Sequence, residues 1–210
     1  MRGFRAPGAF LLCAAFTVGA CSGDVGEWAA EHGFDPAEVH EVRIGANGFP
    51  FVPVAIDGDT VELMFDTGNM VGVSLTAEKL EELDLPRIGE WTRLASDRSV
   101  VGRYGVHRAE SVSVFGVELP SRVYEWSHPR LPGLVGPRFL RGRRFTLDYD
   151  AGVLGMSEEP ADPADRPPGG VPLVRSERHP DLLLVHGRVG GRRVLMELDT
   201  GKSRTVIDPG

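Results

Sequence analysis

A chain of 210 residues with 41% apolar and 25% charged side chains carries enough apolar surface for one or two packed domains, which excludes disorder throughout. Its 23 basic and 30 acidic side chains leave a formal charge of −7. With Arg scattered and no long basic run, nucleic acid is excluded as the main partner, and the acidity serves solubility.

Residues 1–21 read as an export signal. Arg2 and Arg5 form a short basic region, and an apolar run from Ala9 to Val18 follows that is too short for a bilayer, which needs about 20 apolar residues. The run ends in Val18-Gly19-Ala20-Cys21, which resembles the bacterial lipobox. That resemblance implies a lipid on Cys21 and attachment to the periplasmic side of a bacterial cell envelope; plain cleavage after Ala20 also suits the pattern and stays open. Cys13 lies in the removed segment, so the processed chain has no internal disulfide and depends on apolar burial for stability. Residues 22–40 read as a tether with a short helix around Trp28 to His32.

Next comes a strand pattern. Val52, Val54 and Ile56 alternate, Asp57-Gly58 supplies a two-residue turn, and Val61, Leu63 and Phe65 alternate on the return, ending at Asp66-Thr67-Gly68. Val71, Val73 and Leu75 continue as a strand, and Thr76 is an N-cap for a helix from Ala77 to Leu83 that stops before Pro86. Alternation within residues 91–126 predicts further strands, with Phe115-Gly116 turning one hairpin. Asp150-Ala151-Gly152 turns Phe145–Tyr149 back into Val153–Met156, and residues 157–170, rich in Pro and Gly, read as a linker. Beyond it the first hairpin returns: Leu183, Val185 and Val189, the turn Gly190-Gly191, then Val194, Met196 and Leu198 before Asp199-Thr200-Gly201. Sliding the chain so that Asp66 meets Asp199 also pairs Val52 with Val185, Gly58 with Gly191, Val61 with Val194 and Val73 with Val206. Chance would give two such tripeptides on the order of once in a thousand chains of this size.

Two apolar-flanked Asp-Thr-Gly loops resemble those of the aspartic peptidases of retropepsin and pepsin type. Leu134-Val135-Gly136, followed by Pro137-Arg138-Phe139-Leu140, is similar to the apolar-apolar-Gly step of that family. The resemblance implies an all-β fold, mainly β with one or two short helices. Residues 41–156 would form a retropepsin-like closed β-barrel domain, and residues 171–210 the start of a second similar lobe that reads as truncated. It implies Asp66 and Asp199 as the catalytic acids, with Thr67 and Thr200 bonding across the axis and the Gly68 and Gly201 amides approaching the carboxylates. A flap hairpin is expected with its tip near Ser99 to Gly105. No cofactor and no metal are implied, and the substrate class is a peptide or protein.

The chemistry needs this pair because hydrolysis without a metal requires one group that takes a proton from water and one that gives a proton to the carbonyl oxygen. Two adjacent carboxylates cannot both ionise and so share one proton. Two alternatives stay open: a non-catalytic peptide-binding module on the same fold, and a homodimer in which Asp66 meets its own copy. Other candidates carry less. The six histidines lack His-Glu-x-x-His spacing, Ser74 and Ser203 lack a Gly-x-Ser-x-Gly context, and Asp148 and Asp150 read as turn carboxylates.

Overall fold

The computed structural model describes residues 24–94, 99–159, 171–174, 176–177 and 180–206. The first described element is a packed helix, α1 (Asp24–His32). It buries Trp28 and Ala29, and the Trp28 indole Nε1 donates to Asp148 Oδ2 at 2.9 Å. A 3-10 turn at Pro36–Glu38, capped by Asp35, leads into β1 (Val39–Glu41). The expected tether is therefore, from residue 24 onward, part of the body, and the domain begins before residue 41. Apolar burial is the cause: Trp28, Ala29 and Phe34 cluster with Val153, and Gly155 leaves them room, since a Cβ there would stand 2.7 Å from the Phe34 ring.

The fold is mainly β. In chain order follow β2 (Arg43–Ile44), β3 (Pro50–Ile56), β4 (Asp59–Phe65), β5 (Val73–Leu75), α2 (Ala77–Glu82), β6 (Arg87–Leu94), β7 (Val100–Arg108), β8 (Val112–Val114) and β9 (Val117–Glu118). Then come β10 (Arg122–Glu125), β11 (Gly133–Val135), a 3-10 turn at Pro137–Leu140, β12 (Arg144–Asp148), β13 (Val153–Ser157), β14 (Leu173–Val174), β15 (Leu184–Val189) and β16 (Arg192–Glu197). The large sheet runs β6-β7-β10-β5-β11-β4-β3-β8-β9 with β2 on β3, a second runs β1-β13-β12, and a third β14-β15-β16. One core joins the first two sheets, with Val52, Val54, Leu63, Phe65, Val135 and Phe139 beside Leu154 and Met156.

Local chemistry explains the β3–β4 hairpin. Asp57 and Gly58 have φ of 51° and 93°, the pair of left-handed residues that a two-residue turn needs to match strand twist. The Asp57 Oδ1 accepts from the amides of Glu110 and Ser111 at 2.7 and 2.8 Å, which ties the turn to the entry of β8. Thr76 caps α2 through Lys79 N. Val71, expected in a strand, sits in a turn instead, because Gly72 at φ 89° bends the chain before β5 begins.

The expected flap tip is not a turn over residues 100–105: these belong to β7, where Gly102 and Gly105 lie opposite Arg93 and Glu90 of β6. Residues 95–98 lie outside the described ones. Ile88, Val100 and Val101 are exposed on this ribbon, so no clean period-2 pattern marked its length. The signal segment with Cys21, and residues 160–170 of the linker, also lie outside the described residues.

The two copies of the repeat differ in cover. Val61, Leu63 and Phe65 are buried, Phe65 to 1% exposure, whereas Val194 and Met196 are half-buried and Leu198 is 45% exposed. The third sheet thus keeps the alternation without the burial.

β11 threads between β4, to which it is parallel, and β5, to which it is antiparallel. Gly136, at its end, leaves no room for a side chain: a Cβ would run into the Asn69 carbonyl oxygen. Gly136→Ala is expected to cost more than about 2 kcal/mol in urea unfolding, since backbone must move. Gly26→Ala, in α1 with nothing within 4 Å of the added carbon, should instead be neutral or stabilise by up to about 1 kcal/mol.

Candidate active site

Strand β4 delivers Asp66 to the end of the large sheet, and β11 fixes it there. The Asp66 amide donates to Val135 O at 2.9 Å, and Gly136 N donates to Gly72 O at 2.7 Å, so both ends of the 66–72 loop hang on the Leu134-Val135-Gly136 segment. Inside the loop, Asn69 N donates to Asp66 O at 3.0 Å and Asn69 Nδ2 to Gly72 O at 2.9 Å. The second loop leaves β16, with Leu198 N donating to Leu183 O at 2.8 Å.

The two loops meet through a reciprocal lock. Thr67 N donates to Thr200 Oγ1, and Thr200 N to Thr67 Oγ1, each at 3.0 Å. The hydroxyls then donate onward: Thr200 Oγ1 to Phe65 O at 2.7 Å and Thr67 Oγ1 to Leu198 O. Each threonine therefore grips the carbonyl that precedes the other loop's aspartate.

The lock sets the acids against each other. Gly68 N donates to Asp66 Oδ1 and Gly201 N to Asp199 Oδ1, both at 2.9 Å, and the two carboxyls are in hydrogen-bond contact. A Cβ at residue 68 would stand 2.9 Å from Asp199 Cγ, and one at residue 201 would stand 2.6 Å from Asp66 Cγ. Only glycine lets each carboxylate lie on the opposite loop. Burial first, and then the adjacent Asp199, together push the Asp66 carboxyl up to about 6, against the Gly68 amide and the Lys202 charge, which lower it. Such a pair holds one proton between two acids well above the ordinary carboxylate range.

Two cavities flank Asp199. One of about 760 Å³ is walled by Val194, Met196, Leu198 and Val206; the other, about 460 Å³, lies between the 47–49 loop, Tyr149 and Thr200. Another of about 480 Å³, between α1 and β2–β3, is lined by neither acid.

Sequence reasoning missed a clamp that holds the second unit to the first. Asp181, with its side chain 8% exposed, accepts from Arg138 Nε at 3.1 Å and from Arg141 Nε at 2.8 Å. Arg138 lies in the 3-10 turn after Gly136 and Arg141 at its C-terminal end, and nothing in composition or period pairs them with a residue so distant. Asp148 is a turn carboxylate, as expected: its Oδ1 accepts from the amides of Asp150 and Ala151, and those bonds, with the Trp28 indole, hold its pKa low. Ser74 is buried within β5 and Ser203 lies exposed after the second loop.

No protein-family model matches the chain, and no curated protein matches it. Among solved structures it is similar to the crystal structure of a retropepsin-like aspartic protease from Rickettsia conorii, at 20% identity, with 57% of this chain and 94% of that chain covered and a TM-score of 0.42.

Asp66 gives the site a signature in stability. Between 3.8 and about 6 the folded chain binds a proton at Asp66 that the unfolded chain has released, so this group makes stability fall as pH rises through that interval. The loss reaches about 3 kcal/mol at pH 7, at about 1.4 kcal/mol per pKa unit. His40, whose pKa burial lowers, works in the opposite direction, so the difference between wild type and Asp66→Asn isolates the carboxyl. Melting curves from pH 4 to 7 should show Asp66→Asn gaining stability relative to wild type as pH rises, with a constant difference counting against the buried pair.

Proposed function

We propose that the chain is an aspartic endopeptidase in which Asp66 and Asp199 activate a water molecule for attack on a peptide bond. The observation that carries this is the double grip of Thr67 and Thr200, which holds two carboxyls in contact, each over a glycine of the opposite loop. The ionised member of the pair takes a proton from water as its oxygen adds to the scissile carbonyl carbon, while the neutral member gives its proton to the carbonyl oxygen. A tetrahedral diol results. The carboxyl that took the water proton then gives it to the amide nitrogen while the other carboxylate takes a proton from a diol hydroxyl, the C–N bond breaks, and a carboxylic acid and an amine leave with the pair again sharing one proton.

Asp199 occupies the place opposite Asp66 within the same chain, which favours an in-chain pair over a dimer built from two copies of Asp66. A peptide-binding module without catalysis would have no use for two carboxyls forced together, at a cost in stability that a pair of amides would avoid.

Cleavage of an internally quenched peptide library should disappear in both Asp66→Asn and Asp199→Asn, by at least about a thousandfold in kcat/KM. In wild type, kcat/KM should fall on the alkaline side with a midpoint near 6, where the shared proton is lost. Residual cleavage equal to wild type in either variant would remove the proposal.

The location is part of the same proposal: export, followed by attachment to the envelope through a lipid on Cys21. It is supported by the basic, apolar and Val18-Gly19-Ala20-Cys21 pattern. Expressed in a bacterium fed a clickable fatty acid, the wild-type chain should take up label and Cys21→Ser should not. Label that persists in the variant would place the lipid elsewhere.

A further inference from the structure

Asn69 and Lys202 hold equivalent places, each directly after its Asp-Thr-Gly, and the structure uses them differently. Asn69 is consumed within its loop, its Nδ2 donating to Gly72 O at 2.9 Å and its Oδ1 accepting from Val71 N at 3.4 Å. Lys202 is exposed, and its backbone amide donates to Asp199 O at 3.2 Å. The ammonium forms no salt bridge among the described residues. It lines both cavities that flank Asp199. Its charge is felt at the dyad, where it opposes the rise of Asp66.

A cation with no salt bridge among the described residues thus stands on the cleft wall beside the reacting groups. The acidic side chains that share those cavities are Asp199, held in the dyad, and Glu197 on β16, while Arg204 adds a second positive charge. An extended peptide advances about 3.3–3.6 Å per residue, so a flexible four-carbon stem rooted next to Asp199 meets side chains close to the bond being cut.

We propose that Lys202 is a specificity-determining residue, selecting peptides that carry an Asp or Glu side chain within about two residues of the scissile bond on the Asp199 side of the cleft. The inference rests on the peptidase function proposed above and adds the substrate class. A charge-assisted hydrogen bond in a partly solvated cleft supports a preference of about three- to tenfold.

The test uses the intact protein and a set of quenched peptides with one scissile bond, in which each flanking position is in turn Glu, Gln or Lys. At one position the Glu peptide should exceed the Gln peptide by about three- to tenfold in kcat/KM. Lys202→Gln should bring that ratio to about one, and Lys202→Glu should invert it in favour of Lys. Reading the ratio within each variant cancels any change in the dyad itself. A ratio near one in wild type, or a Glu preference that survives both substitutions, overturns the role of Lys202 while cleavage abolished by Asp66→Asn leaves the peptidase standing. If wild type cuts no peptide between pH 3 and 8, the peptidase proposal falls and this one falls with it.

Discussion

Everything at the site depends on two threonine hydroxyls that each accept from the other loop's amide and donate to the carbonyl before the other loop's aspartate. Two carboxyls in contact tend to separate, and holding Asp66 ionised in the folded chain costs about 3 kcal/mol of stability at neutral pH. Four hydrogen bonds at about 1 kcal/mol net each are of the right size to oppose it. The lock uses only backbone groups and the two hydroxyls, so it can join loops whose surroundings differ, and here they differ greatly. Glycine completes it, because the space where a Cβ would stand at residues 68 and 201 is filled by the opposing carboxylate.

The first loop is held by a device that the second lacks among the described residues. Leu134 and Val135 lie between the strand that enters the loop and the strand that leaves it, and Gly136 closes on the Gly72 carbonyl. Asp66 is thus fixed by a strand inserted between its neighbours. Asp199 is fixed by the lock itself and, at longer range, by the Asp181 clamp to Arg138 and Arg141, which extend from the same 134–136 segment. That one stretch therefore governs the position of both acids.

Much of this was legible because local patterns carried it. The 52–65 hairpin followed from period-2 alternation and Asp57-Gly58, the helix start from Thr76, and the pairing of distant loops from the repeated tripeptide. The rest had no local signal. Burial of α1 depends on Trp28 and Phe34 reaching Val153 and on the missing Cβ of Gly155, contacts between segments far apart in the chain. The β6–β7 ribbon, exposed along much of its length, shows no amphipathic alternation, so strand β7 was read as a loop tip. Asp181 looked like any surface acid. The repeat carries no signal of how deeply each copy packs: the apolar spacing is the same, yet Leu198 is open where Phe65 is closed.

That inequality gives the two aspartates different surroundings. Phe65 packs against Phe139 at 5.2 Å between ring centres, so the backbone that carries Asp66 enters the site from a dry core. Desolvation is accordingly the largest influence on its carboxyl, ahead of the neighbouring charge. Asp199 leaves a half-exposed hairpin with Lys202 after it and open cavities on either side. One copy of the motif therefore rises from the core, and the other from a half-exposed hairpin beside open cavities. The two loops are alike in sequence and in their mutual hydrogen bonds, so the packing behind them is what makes their aspartates unequal.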